Sequence, residues 1–361
     1  MSLAIATTSS QATAAPGLKP GSETVHALMS QVLREGRPLA DEYPLVFREG
    51  FPGKLVRIGD EKGTYSALAV LPRELVTSAG RLPVVLIGSV ATAPSHQGQG
   101  LATRALEAAE SFAREQGAVA TLLWADQPGY YCARGYRSVG AEIDVQLTAA
   151  LLPRLPQAGE VREARPQDSY MIHTLQIQNP VRAARTLAET QALLGIPGST
   201  TLVWESEGEV RAYAAIGKGE DLTNVIHEWG GETEGVLTLA RAHTEARLAD
   251  DPQAQVYLIA PDAPLEATQR LVDLGFPTSR GVLSMGKLVD RERALICLAG
   301  ITGAEQEAVR AATADLSDRE LLQCLLPARS ESETAVQVAS RLGVEPGRLA
   351  MFAFVSGFDS I

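Results

Sequence analysis

Between Val84 and Gly140 the hydrophobic pattern changes its period several times. Val84 to Ala91 is apolar, rich in β-branched residues and free of charge, which predicts a strand covered on both faces, with Pro94 ending it. From Leu101 onward apolar residues recur at Leu101, Ala105, Ala108 and Phe112, flanked by Leu106, Ala109 and Ala113, while Arg104, Glu107, Ser111 and Arg114 lie opposite. That spacing predicts an amphipathic helix stopped by Gly117. Ala118 to Trp124 then reads as a second strand and Tyr130 to Tyr136 as a short aromatic helix. Upstream, Glu23 to Arg34 has helical spacing, Arg37 to Gly50 a loop or second helix, and Lys54 to Gly59 and Thr64 to Leu71 form strands about the turn Asp60 to Gly63.

The same order of elements returns downstream. Helical spacing runs through Leu175 and Leu194, and Thr201 to Trp204 and Val210 to Ile216 are strand-like. Asn224 to Trp229, a helix Val236 to Leu248, a strand Gln255 to Ala260 and the segment Leu271 to Phe276 complete the echo, which is one of element order rather than of sequence. Three helices follow, Glu305 to Ala314, Asp318 to Leu326 and Glu331 to Leu342, with Ser317 as an N-cap and Gly343 as a stop. The apolar end Leu349 to Val355 is expected to dock between the two copies.

The segment Gln97-Gly98-Gln99-Gly100-Leu101-Ala102 therefore lies where a strand turns into a helix. Glycines there let a ligand approach the backbone, and the first amides of the helix have no intrahelical partner, so the turn suits a phosphate or pyrophosphate. No G-K-[ST] follows and the dinucleotide spacing is absent, so neither a Walker loop nor a Rossmann turn is present. In the second copy the turn is Gly230-Gly231-Glu232-Thr233-Glu234-Gly235, whose carboxylates would repel a pyrophosphate, and Leu271 stands where the first copy has Tyr131.

Thr92 to Ala102, with Pro94 in place and Thr92 for a valine, followed one strand later by Tyr131 to Tyr136, resembles the paired signatures of the GNAT superfamily of acyl-CoA-dependent N-acetyltransferases. The resemblance implies an α/β fold with a mixed sheet. Two GNAT-like domains would stand in tandem with a mainly helical extension: a disordered tail 1–21, a catalytic domain 22–150, a linker 151–160, a degenerate domain 161–290 and the extension 291–361. It also implies acetyl-CoA as co-substrate, met by the backbone of Val90, Ala91 and Thr92, with Gln97, Gly98, Gln99, Gly100, Ala102 and Thr103 at the pyrophosphate. Tyr131 matches the family's general acid; an ordinary phenol, with a pKa of about 10, keeps its proton at neutral pH and can give it to a departing thiolate.

Many family members carry a glutamate on the strand before the turn, and Leu86 to Thr92 has no acid. Asp126 and the α-carboxylate of Ile361 are the two candidate bases, with the side chain of Asp359 beside the latter. The second follows from a similarity of Ala93 to Gly100 and Trp124 to Gln127 to the bacterial enhanced intracellular survival protein family, in which the chain's own end serves as base. That family's turn arginines are Gln97, Gly98 and Gln99 here, so its substrates do not carry over. The opposing reading of the tail is that it only closes the second copy's sheet.

Composition narrows the partners. A net charge of -11 argues against nucleic acid and favours cations, amines included. Cys132, Cys297 and Cys324 form no C-x-x-C pair, and His26, His173, His227 and His243 show no metal spacing, so no metal is expected; His96, which abuts the turn, reads as a surface histidine, the alternative being a phosphate contact. No run is long enough to span a membrane, and with a leader-free start the expected compartment is the cytoplasm. Asp41, Glu42 and Glu49 form a small acidic cluster on the expected substrate side, read here as a solvated face. The sequence thus points to an N-acetyltransferase acting on a small cationic amine, the alternative being a non-catalytic acyl-CoA-binding or scaffold protein; it names neither the amine nor an oligomeric state.

Overall fold

A computed structural model of the chain describes residues 2–5, 21–328, 332–349 and 351–361. The first half contains β1 (Ser2–Ile5), α1 (Glu23–Leu33), α2 (Pro44–Phe47), β2 (Lys54–Asp60), β3 (Gly63–Val76), β4 (Arg81–Thr92), α3 (Leu101–Glu115), β5 (Ala120–Leu123), α4 (Pro128–Cys132) and β6 (Arg137–Gln146). The second contains β7 (Glu160–Glu163), α5 (Ser169–Gln178), β8 (Arg182–Ala183), α6 (Leu187–Leu194), β9 (Thr200–Ser206), β10 (Glu209–Lys218), β11 (Asp221–Gly231), α7 (Thr233–Asp250), β12 (Tyr257–Pro261), α8 (Glu266–Asp273) and β13 (Thr278–Leu288). The extension adds α9 (Arg291–Thr302), α10 (Gln306–Ala312), α11 (Asp318–Leu325) and α12 (Glu333–Leu342).

All strands join one sheet in the order β1-β2-β3-β4-β5-β13-β6-β12-β11-β10-β9-β7, with β8 on the far end of β3. The ladders are antiparallel except β4 with β5 and β11 with β12, one parallel pair in each half. The α/β fold with a mixed sheet and two similar halves is as the sequence implies. The boundary between the halves is not: β13, from the second, is inserted between β5 and β6 of the first, and β6 pairs with both β13 and β12. The run 151–160 is likewise no free linker, because Leu152 and Leu155 are buried in the second half's core. Residues 2–5 pair with β2 where composition suggests a disordered tail; residues 1 and 6–20 of that tail lie outside the described residues.

Side-chain alternation explains the charge-free β4. Val85 and Ile87 face α3, together with Val56, Ile58, Leu68 and Val70 of the neighbouring strands, whereas Val84 and Leu86 face the central core. Beyond Ile87 the alternation slips by one: Val90 turns to the α3 side and Ala91 to the α1 side, beside Ala67 and Ala69. A bulge causes this, since Ala67 pairs with Ala91 but Ala69 with Gly88, and Ser89 takes the left-handed conformation with φ 49°.

The extension packs back onto the sheet, with α11 against β6 and β13. Its α9 was not legible, and Glu331, the expected start of the last helix, lies outside the described residues; the observed α12 is capped by Ser332. Leu349, Met351, Ala353, Phe354, Val355 and Phe358 are buried in the central core, so the apolar end docks between the halves as expected. Among the described residues of the tail none is in a strand, so it packs on the core without adding a strand to the second half's sheet.

A buried charge cluster fixes that tail. Asp359 accepts from Arg73 Nε of β3 at 3.1 Å and stands 3.9 Å from Arg185, Arg73 Nη1 reaches Glu189 at 2.8 Å, and Arg185 pairs with Glu228 of β11. Ser356 and Tyr213 donate to Glu228 at 2.5 and 3.0 Å. Burial pushes the Glu228 carboxyl up, but Arg185 and the Ser356 hydroxyl outweigh it and hold it low. Removing one partner from such a buried pair costs about 3–5 kcal/mol, because the other charge is left without water. Lys218, also buried, donates to the Ser360 carbonyl.

A chain ending at residue 150 lacks β13 and exposes the facing edges of β5 and β6, so it should show no cooperative unfolding transition on its own; a cooperative melt of that fragment would mean that the exchanged strand is dispensable. Burial lowers the Lys218 ammonium to about 7, with Asp359, Asp221 and Glu42 pulling the other way. An unfolded lysine titrates near 10.4, so between roughly pH 7 and 10 the unfolded chain binds a proton that the folded chain lacks, and stability rises with pH in that window. Urea titrations at pH 7 and 9.5 should show that rise in the wild type but a smaller one in Lys218→Met; equal rises would show that Lys218 keeps an ordinary pKa.

Candidate active site

The parallel ladder of β4 with β5 runs only from Val84–Ala120 to Ile87–Leu123. Past Ile87 the strands part, and β4 continues to Thr92 with its β5-side edge unpaired. The bulge at Gly88 and Ser89 sits at this point of divergence. A cavity of about 1020 Å³ opens there, walled by β4, the turn before α3, the β5–α4 segment, the end of α1, and Asp221 from the second half.

The turn has the form expected of an anion cradle. Gly98 and Gly100 have φ of 74° and 72°, a conformation that side chains rarely adopt, and a Cβ built on either meets nothing within 4 Å. Gly100 is the N-cap of α3 and offers no side chain to the first amides, which remain available to a ligand. Gln97, Gly98, Gly100 and Ala102 line the cavity, as do Val90 and Thr92 of the strand. Ala91 points away into the α1 core, as the alternation requires, so only its backbone can face the cleft. Gln99 does not line the cavity, its amide reaching back to the Ser95 carbonyl at 3.5 Å, and the Thr103 hydroxyl accepts from Arg134 Nε at 2.8 Å. Arg134 lies 3.5 Å above the Tyr130 ring and lines the cavity, a cation near the turn that the sequence reading passed over.

Tyr131, on α4, lines the same cavity. Burial pushes its phenol above the ordinary value, Tyr130 adds to this and Arg134 opposes it, so the proton is held at neutral pH. Asp126 is exposed on the cavity rim. Ile361 brings the chain's end into the cavity, and the close approach is at Gly88: a Cβ there would stand 1.5 Å from a carboxylate oxygen of Ile361. The α-carboxylate thus fills the space that any side chain at position 88 would take. Asp359 does not share this position, being held in the charge cluster by Arg73. His96 lines the cavity but stacks on Tyr65 at 4.1 Å.

On the acceptor side, Glu42 is buried and bonded to Arg34 at 3.0 Å, and Asp41 pairs with Arg48, so only part of the acidic cluster is a solvated face. The corresponding place in the second half holds a smaller cavity, of about 590 Å³, beside Trp229, Glu232 and Leu265. Its parallel ladder stops after Ile226–Leu258, the Trp229 indole donates to the Ile259 carbonyl at 3.1 Å, and Asn179 donates to the Trp229 carbonyl at 2.8 Å. Glu232 caps α7 where Gly100 caps α3. Among the described residues no group of histidine, cysteine and carboxylate side chains is placed to hold a metal, and no helix is long and apolar enough to cross a membrane.

Comparison with known proteins agrees with this geometry. Residues 52–139 match the acetyltransferase (GNAT) domain family. No curated protein matches the sequence. Among solved structures, a conserved protein of unknown function from Enterococcus faecalis, described as a probable N-acyltransferase, is 14% identical over 76% of this chain and 71% of its own, with a TM-score of 0.59. A GCN5-related N-acetyltransferase from Anabaena variabilis is 15% identical over 77% and 73%, with a TM-score of 0.55. Both likenesses are of fold, and they extend over both halves rather than the first alone. GNAT domains use acetyl-CoA as co-substrate, and the open glycine turn, the uncapped α3 and the unpaired edge of β4 suit its pyrophosphate and pantetheine. The chain is thus an acetyltransferase whose first half carries a domain of the GNAT family.

Proposed function

We propose that the chain transfers the acetyl group of acetyl-CoA to the primary amine of a small cationic acceptor by direct attack, at one site formed by the first half. Acetyl-CoA supplies an activated acyl group on a thiol leaving group. The backbone of Val90, Ala91 and Thr92 would bind the acyl-bearing arm along the unpaired edge of β4, and the turn from Gln97 to Thr103, with Arg134 nearby, would hold the pyrophosphate. The observation that carries the reading is the α-carboxylate of Ile361 pressed against Gly88 in the cavity that Tyr131 also lines.

That arrangement separates the two proton transfers acetylation needs. The carboxylate takes a proton from the acceptor ammonium, through water where the two are not in contact, and its negative charge favours the cationic form in the ground state. Tyr131 gives its proton to the departing sulfur, for which a phenol held above its ordinary pKa is a suitable acid. Asp126, exposed at the rim, is the alternative base. The second half would bind no acetyl-CoA, with Trp229 across its splay and Glu232 at its turn.

Thiol release from acetyl-CoA with a panel of amines tests the activity, and turnover of none of them would sink the proposal. Two variants then test the roles. Tyr131→Phe should lower kcat by about 10² or more with little change in acetyl-CoA affinity, as for a group acting chiefly in the transition state; an unchanged kcat would leave Tyr131 a packing residue. Two glycines appended after Ile361 move the α-carboxylate off Gly88 while keeping Asp359 in its cluster. That chain should bind acetyl-CoA normally but turn over about 10² times more slowly, and full activity would pass the role of base to Asp126.

A further inference from the structure

The second half also contributes to the first half's site, because the tip of its β10–β11 hairpin is built into the wall of that cavity. Gly219, with φ 57°, lets the tip sit on Glu42: a Cβ there would stand 2.4 Å from that carboxyl carbon. Glu220 pairs with Arg37 outside the cavity, and Asp221 enters the cavity wall. Asp221 Oδ2 accepts from Arg34 Nη2 at 2.7 Å and from Tyr43 at 2.9 Å, which fixes the carboxylate, yet about half of the side chain stays exposed at 47%.

Charge and shape together say what this wall suits. Glu42 and Asp221 share the single guanidinium of Arg34, and the α-carboxylate of Ile361 stands in the same cavity. Lys218, the cross-strand partner of Asp221, is buried with its ammonium on the Ser360 carbonyl, so it ties the hairpin to the residue before Ile361 and leaves no side chain for a ligand. The wall is thus negative at Asp221 and at the chain's end, with apolar Val32, Leu33 and Leu39 also facing the cavity. A held but half-exposed carboxylate attracts a cation, and apolar surface favours methylenes.

We infer that Asp221, a residue of the catalytically silent half, selects the acceptor by binding a second ammonium group, so that the preferred substrates are aliphatic amines carrying two cationic ends. This rests on the acetyl-transfer reading above. One ammonium sits at Asp221, the spacer lies along the apolar wall, and the other amine is presented near Ile361 for acetylation.

The test compares 1,6-diaminohexane with 1-aminohexane by thiol release from acetyl-CoA. The wild-type chain should prefer the diamine, and Asp221→Asn, which keeps acceptors for Arg34 and Tyr43, should reduce the ratio of the two kcat/KM values about tenfold. Glu220→Gln, on the same hairpin but outside the cavity, should leave the ratio unchanged. A wild type without preference for the diamine, a ratio unmoved by Asp221→Asn, or an equal shift in Glu220→Gln would each overturn the assignment. So would turnover of other amines but of neither probe. Absence of turnover on every amine would instead remove the acetyl-transfer reading, and this inference with it.

Discussion

The placement of the chain's end depends on a cluster of buried charges between the halves. Arg73 comes from β3, Arg185 and Glu189 from the segment around α6, Glu228 from β11, and Asp359 from the tail, so five residues from four parts of the chain meet where water is excluded. None of these charges is tolerable alone, since an unpaired buried ion costs several kcal/mol. The cluster therefore forms only when both halves and the tail are in place together. The apolar residues from Leu349 to Phe358 supply the driving force for docking, and the ion pairs supply its register: a slip of one residue would leave Asp359 away from Arg73 and Arg185. Gly357 belongs to the same constraint, because a Cβ there would fall 2.6 Å from the ring of His227.

The sheet imposes the same interdependence. With β13 between β5 and β6, the first half's strands beside the cavity are held by the second half, while β8 reaches back to the far end of β3. The two halves share a layout but differ at the one place where their parallel strands part. In the first half the gap is open and bounded by glycines with positive φ; in the second an indole bridges it and a glutamate stands at the helix start. The second half supports the tail through Arg185 and Glu228 and forms part of the cavity wall through Asp221.

Much of this was legible in the residues, and the rest had identifiable reasons to stay hidden. Periodicity located β4, α3 and the turn between them because β4 is covered on both faces and α3 buries one broad stripe. The same method passed over β6 and β13, whose Glu142, Asp144, Ser279 and Arg280 interrupt any apolar run on the part of the sheet they share. It missed α9, where apolar residues are spread around the helix, with Ile296 exposed. Composition alone argued for a disordered start, but edge pairing of residues 2–5 with β2 is a long-range contact that composition does not encode. Of the residues that line the cavity, those of the turn, Tyr131 and Ile361 are among the candidates the sequence offers. Asp221 and Arg34 are not, because their partnership spans 187 residues and exists only once the hairpin has docked. Gly88 carried a readable signal, an isolated glycine in an apolar strand, which commonly marks close approach of another backbone.

The geometry at Gly88 also bears on why the proposed base is the chain terminus rather than a side chain of β4. Regular alternation with Val84 and Leu86 places residue 88, just before the bulge, on the face that meets the tail, and the carboxylate already occupies the volume of a Cβ there, so a glutamate at that position would exclude the tail altogether. The two solutions are mutually exclusive at this site. Choosing the terminus carries a structural condition: an α-carboxylate has no side chain of its own to aim it, so its direction is set by the residues before it. Here Asp359 is locked by Arg73 and the Ser360 carbonyl by Lys218, so the two residues before Ile361 are held from different strands. A group anchored on both the first and the second half can keep its position only if the interface between them does not slide, which makes the shared sheet part of the proposed proton-transfer apparatus rather than a passive scaffold for it.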